Sequence, residues 1–153
     1  KLWHAPLKDF IPPIPRYVAP PEGPEDPLTR QYPLQLSGWH TKARSHTVHD
    51  NNPRLRKLDP QQLWIHPEDA AARGIQDGDL VLIYNDRGQI KVPAKITDRI
   101  AKGVTALSQG AWYTPDDNGV DVRGSINVLT SQRPTPFARG NGQHTNLVEV
   151  EKV

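Results

Sequence analysis

Residues 79–85 (DLVLIYN) and 88–96 (GQIKVPAKI), joined through Asn85-Asp86-Arg87-Gly88, decide the fold class. In the second segment Ile90, Val92, Ala94 and Ile96 share one face, and Gln89, Lys91 and Lys95 share the other. That period of two marks a strand with one buried side. The joining tetrapeptide suits a hairpin turn with Gly88 in the left-handed position. Outward from this hairpin, a short strand is predicted at Leu34 and Leu36, and others over 104–108, 126–130 and 146–150. Asn118-Gly119 and Asn141-Gly142 are further turn signals.

One helix is well marked, over 67–73. Pro67 suits the first helical position, Glu68 and Asp69 face the positive dipole end, and Gly74 can close it in a left-handed cap. Asp77-Gly78-Asp79 then turns the chain into the next strand. Six or seven short strands with one or two short helices point to a mainly β domain closed as a small barrel.

Proline divides the chain unevenly, with nine of sixteen in residues 1–33. Proline fixes φ and removes a donor, so residues 1–33 are predicted to form an extended Pro-rich arm ahead of a barrel domain over 34–153. Leu2, Trp3, Leu7, Phe10, Ile11, Ile14, Tyr17 and Val18 put more apolar area on the arm than a spacer needs, so these side chains are expected to pack on a surface. The first residue is Lys1, not Met, which suggests a fragment of something longer.

Composition excludes several chemistries. The 153 residues include no cysteine, so disulfides, Cys-ligated metals and thiol nucleophiles within this chain are ruled out. Hydrophobic residues reach 35%, and no apolar run approaches the roughly 20 residues of a membrane-spanning helix. A net charge of +2 is too small to argue for nucleic acid.

Three segments could carry chemistry. Residues 38–49 (GWHTKARSHTVH) begin a window to residue 57 that holds Lys42, Arg44, Arg54, Arg56 and Lys57 against Asp50 alone. Guanidinium, ammonium and hydroxyl donors are what a phosphate or pyrophosphate requires. His40, His46 and His49 lack a recognised zinc spacing and a helix to align them. Ser45 beside His46 is adjacency, not triad geometry. The second segment, 109–115 (QGAWYTP), offers Trp112 as a pocket wall, with Tyr113 expected in a structural role. The third, 139–146 (RGNGQHTN), is rich in amides that present donor and acceptor together, as reading a heterocycle edge requires.

Several motifs in order carry a resemblance: 64–75 (WIHPEDAAARGI), Asp77-Gly78-Asp79, Asn85–Gly88, 110–113 (GAWY), 126–129 (INVL), Gly140-Asn141 and 145–151 (TNLVEVE). From about residue 30 onward the chain resembles the C-terminal domain of the dimethyl sulfoxide reductase family of molybdoenzymes. The arm and the 40–50 loop look most like the catalytic chain of its anaerobic, membrane-associated S-oxide reductases.

The resemblance implies a double-psi β-barrel that binds molybdopterin guanine dinucleotide and caps the active site. It implies cofactor contacts from Gly38, His40, Lys42, Arg44, Ser45, His46 and Thr47, from Trp112, and from Asn141, Gln143, His144 and Thr145. Arg87 is expected to be a structural clamp. No catalytic or metal-ligating residue is expected here: the molybdenum ligand and the iron–sulfur cysteines belong to earlier domains of such enzymes, so the fragment alone should be inactive and monomeric. The whole enzyme would be an S- or N-oxide reductase of anaerobic respiration at the periplasmic face of the membrane. It would take electrons from an iron–sulfur subunit and a membrane-anchor subunit. Two other classes fit the residues alone: a stand-alone barrel that binds protein or polyanions through the basic loop, and a small hydrolase using Ser45 and His46.

Overall fold

The computed structural model describes residues 11–153. In chain order the strands are β1 (Leu34–Trp39), β2 (Leu63–Ile65), β3 (Leu80–Asn85), β4 (Gly88–Ile96), β5 (Val104–Ser108) and β6 (Asn146–Lys152). The helices are α1 (Pro53–Leu58) and α2 (Pro67–Ala71). The strands close into a double-psi barrel in the order β1-β5-β2-β4-β3-β6, in which β1/β5 and β2/β4 are parallel and the other neighbours antiparallel.

Alternation fills the barrel. Ile90, Val92 and Ala94 of β4 meet Val81 and Ile83 of β3, Leu34 and Leu36 of β1, Leu63 and Ile65 of β2, and Val148 and Val150 of β6 in one core. Each fully buried Leu, Ile or Val side chain contributes about 1.5–3 kcal/mol. The predicted hairpin forms in the register Asn85 opposite Gly88, with an Asn85 Oδ1 that accepts from Arg87 N at 3.0 Å. Gly88 is not left-handed, however: positive φ is found at other glycines. Its missing side chain makes room for a neighbour, since a Cβ there would lie 2.5 Å from Val128 Cγ1.

Helix α2 starts and stops as its residues dictate. His66 Nδ1 accepts from Glu68 N at 3.2 Å, Pro67 opens the helix, and Gly74 follows its end at φ +65°. Arg73 reaches back to Asp69 O and across to Glu149, tying the helix end to β6. Three elements depart from expectation. Residues 126–130 form a 3-10 turn (Ile126–Val128) instead of a strand: Val128 N and Leu129 N donate locally, to Ser125 O and Ile126 O. Strand β2 has only three residues, too few for periodicity to register. Helix α1 is held by its cap, Asn52 Oδ1 accepting from Arg54 N and Leu55 N, and has no buried face.

The arm also differs. It ends in a 3-10 turn (Pro27–Arg30) capped by Asp26, so it is not extended throughout. Ile14, Tyr17 and Val18 are exposed, so the surface expected to cover them is not among the described residues of this chain; Leu2, Trp3, Leu7 and Phe10 lie outside the described residues. Besides Tyr32, the arm buries a charged side chain. Glu22, at φ +55°, pairs with Arg87 through two bonds of 3.0 and 2.8 Å, and its Oε2 accepts from Leu147 N at 3.0 Å. Arg87 also donates to Leu129 O, the clamp expected of it. Tyr32 is buried edge-on to Tyr84.

Register decides which loops meet. Trp39 at the end of β1 lies opposite Ser108 at the end of β5, and Leu36 lies opposite Asn146 at the start of β6. Loops 40–61, 109–125 and 130–145 therefore leave the barrel at one rim, beside the β3–β4 hairpin. Helix α2 and residues 97–103 occupy the opposite end.

Candidate functional site

The rim is organised by a carboxylate. Asp50 is fully buried and receives Arg44 Nη1 at 3.0 Å and Arg123 Nη2 at 2.6 Å on Oδ1, and Trp112 N at 2.9 Å on Oδ2. Arg56 adds a longer pair at 3.7 Å. Burial by itself would push the Asp50 carboxyl upward; the Trp112 N–H and the Arg123 and Arg44 charges outweigh it and hold the group below the usual carboxylate range. Burial lowers the Arg44 guanidinium from its ordinary value, a shift that Asp50 opposes.

Arg44 is thus turned inward. Besides Asp50, it donates to Gln61 Oε1 at 2.7 Å, Ser108 Oγ at 2.8 Å and Gln109 O at 3.1 Å. Gln61 carries the network onward to Ser108 O and Gly124 O. A buried guanidinium needs several acceptors, and the interior supplies them where the outer rim would leave the group in water. Gly38 is likewise a packing residue, because a Cβ there would meet Gln109 Nε2 at 2.6 Å.

The rest of the basic loop faces out. His40, Lys42, Ser45, His46 and Thr47 are exposed; the His40 and His46 rings meet edge-to-face at 4.9 Å. Ser45 and Val48 exchange backbone bonds, and His46 and His49 take positive φ, which turns the loop tightly. The turn sits directly on the second segment. Trp112 Nε1 donates to Thr47 O at 2.8 Å, and the Gly110 Cα faces His46 O so closely that a Cβ would lie 1.7 Å from it.

Between them opens a cleft of about 440 Å³ lined by Thr47, residues 110–113 and 125–127. Tyr113, expected to be structural, is 58% exposed and lines this cleft beside Trp112. Asp121, fully buried, braces the far wall by accepting from the N–H groups of Thr114, Arg123, Gly124 and Ser125.

The amide-rich loop arrives from the other side. It reverses at Thr135–Arg139, where Arg139 takes φ +56°, and not at Asn141-Gly142; Asn141 instead bridges to Pro134. Asn146 anchors its base, with Nδ2 on Gln143 O at 2.9 Å and Oδ1 accepting from Ser131 N at 3.2 Å. Asn85 Nδ2 bonds both Leu129 O and Leu147 O beneath it. Asn141, Gln143 and His144 are exposed and Thr145 half-buried, and among the described residues their side chains make no hydrogen bond.

One rim therefore carries exposed cation and hydroxyl donors, an aromatic-walled cleft and unspent carboxamides. Beneath it, the buried Arg44 Nε and Arg123 Nε have no partner. A phosphate-bearing heterocyclic dinucleotide fits this donor set. Residues 34–147 match the description of one domain family, molydopterin dinucleotide binding domain. The chain belongs to that family.

The molydopterin dinucleotide binding domain here is 52% identical over 151 residues to dimethyl sulfoxide reductase DmsA of Escherichia coli strain K12, which takes in 99% of this chain and 19% of the relative. It is 40% identical over 134 residues to trimethylamine-N-oxide reductase of Haemophilus influenzae, 82% of this chain and 16% of that protein. Acetylene hydratase from Pelobacter acetylenicus shares the fold at a TM-score of 0.76 and 18% identity, over 92% of this chain and 21% of that one. The chain spans about a fifth of the length of the curated relatives it matches most fully.

Gln61, Asp121 and Arg123, which the sequence did not single out, hold this site together with Asp50 as its hub and with Asn85 and Asn146. The sequence marked Asp50 only as the single acid in a basic window, Asn85 only as part of a turn, and Asn146 only as the end of the amide-rich segment. Glu22 lies outside the 34–147 match, yet it is bonded into the barrel.

Proposed function

We propose that this domain caps the active site of a molybdenum-dependent S- or N-oxide reductase and binds molybdopterin guanine dinucleotide on the rim just described. The observation that carries the reading is the arrival of loops 40–49 and 141–145 at one end of the barrel, with the side chains of Lys42, Ser45, Thr47, Asn141, Gln143 and His144 exposed and unspent. Lys42 and Ser45 suit phosphate oxygens, with His40, His46 and Thr47 beside them. Asn141, Gln143, His144 and Thr145 suit the edge of a purine or pterin. Trp112 offers a flat face to a ring.

When bound, the cofactor supplies the redox chemistry; the chain's own part is to orient it, neutralise its phosphates and exclude water. The whole enzyme would respire anaerobically at the periplasmic face of the membrane, with an iron–sulfur subunit and a membrane anchor delivering electrons. Among the described residues, no helix is long and apolar enough to cross a membrane. That relatives are named as reductases of dimethyl sulfoxide and trimethylamine N-oxide supports the substrate class.

The test is titration of the 153-residue chain with GDP, followed by backbone amide shifts. Selective movement of residues 40–47, 112 and 141–145, stronger for GDP than for ADP, is expected. A uniform response, or an equal response to any polyphosphate, would leave only a polyanion-binding surface.

A further inference from the structure

The cleft owes its shape to a group that never faces it. Arg44 from Asp50's own loop, and Trp112 N and Arg123 from two stretches of the 109–125 loop, all bond the Asp50 carboxylate. The bond to Trp112 N fixes the backbone of the cleft's aromatic wall. From there the indole reaches Thr47 O on the opposing wall, next to the close approach of Gly110 to His46 O. Both walls thus trace back to one side chain.

Electrostatics make that side chain hard to replace. Arg44 and Arg123 bond the same oxygen, Oδ1, so the two guanidiniums are neighbours. Without the carboxylate they repel in a region where water screens little. Arg44, 4% exposed, cannot swing into solvent without leaving Gln61 and Ser108. Arg123 can move, at 17% exposed, and its departure would remove the side-chain tie between the 121–125 wall and Asp50. A core salt bridge that only adds stability would leave the cleft unchanged when its charge is removed; a hub that sets loop spacing would not.

We infer that Asp50 is a positioning residue: it holds Thr47, Trp112 and the 121–125 loop at the spacing that admits the ligand, before any ligand arrives. The inference rests on the rim being the binding face.

The experiment follows the Trp112 indole N–H by 15N-resolved hydrogen exchange, assigned with Trp112→Phe, together with GDP affinity, in the 153-residue chain. The wild-type indole is expected to be protected by its bond to Thr47 O. In Asp50→Asn that protection is lost, the GDP dissociation constant rises about tenfold or more, and β3–β4 hairpin amides stay in place. Arg123→Gln, milder for folding, shows a smaller shift in the same direction. Adding Arg123→Gln to Asp50→Asn recovers part of the protection, because it removes one of the repelling charges.

An Asp50→Asn chain that keeps the indole protected and binds GDP like wild type overturns the inference, as does a double variant no better than the single. If Asp50→Asn does not fold, Arg123→Gln decides alone: unchanged protection and affinity refute the hub. Wild type that fails to bind GDP refutes the proposed function instead, while the indole readout still reports on Asp50.

Discussion

Replacing Glu22 by Ala tests whether the barrel begins upstream of its first strand. The substitution strands Arg87, 24% exposed, without the carboxylate that receives it at 3.0 and 2.8 Å, and leaves Leu147 N without its 3.0 Å acceptor. Removing one partner of a buried ion pair costs about 3–5 kcal/mol. Water reaching the quarter-exposed Arg87, and its retained bonds to Leu129 O, bring the expected cost to roughly 3 kcal/mol. For a chain of this length that is a fall in Tm of about 6–12 °C. Glu22→Gln keeps an acceptor for one partner and should lose roughly half as much.

Thermal and urea unfolding measure both variants, and a cycle with Arg87→Met should return a coupling of about 1–3 kcal/mol. A Glu22→Ala chain within about 0.5 kcal/mol of wild type, or additive single effects in the cycle, would refute the reasoning.

Two further outcomes follow from individual positions. Gly110→Ala combines φ +90° with a Cβ 1.7 Å from His46 O, so it should cost about 3 kcal/mol or more in urea unfolding and abolish the selective GDP response. Gly74→Ala, at φ +65° with nothing within 4 Å, should cost only about 1–2 kcal/mol, and equal losses at the two sites would contradict the contact. The hydrogen bond to Glu151, with burial behind it, pushes the Tyr84 phenol up to about 12. Its neutral form is the one the fold favours, so its stabilisation is fully present below the ordinary tyrosine value and is lost as pH rises through about 12. Ultraviolet titration should show a tyrosine ionising at about pH 12, and Glu151→Gln should bring it back down.

Legibility followed the range of the interactions. The β3–β4 hairpin and helix α2 were readable because their causes are local: alternation along a strand, Pro67 at a helix start, Gly74 at its stop. The run at 126–130 reads as a strand by its apolar residues. Apolar content does not say where backbone donors go, and here they turn back on themselves to Ser125 and Ile126. Gly88 was correctly flagged for the wrong reason, since the space it yields to Val128 belongs to a contact 40 residues away. The exposed arm residues Ile14, Tyr17 and Val18 show the same limit: apolar content does not name the surface that would cover it.

At the site the sequence located the loops but not which way each side chain turns. His40, Lys42, Ser45, His46 and Thr47 face out, whereas Arg44, in the middle of the same run, faces in. Nothing in the local pattern separates Lys42 from Arg44. What separates them is Asp50, Gln61, Ser108 and the Gln109 carbonyl, gathered from segments up to 65 residues away.

By itself, the order of residues determined a small mainly β barrel, the family, and the three segments that line its functional end. Strand spacing and turn chemistry are written in neighbours, and a family's motifs survive as strings. Only the closed sheet decided that the basic loop and the amide loop share a rim, that Glu22 belongs to the barrel, and that Asp50 stands beneath the cleft. Those outcomes depend on register between strands far apart in the chain and on which buried charges find partners, and both are settled by packing.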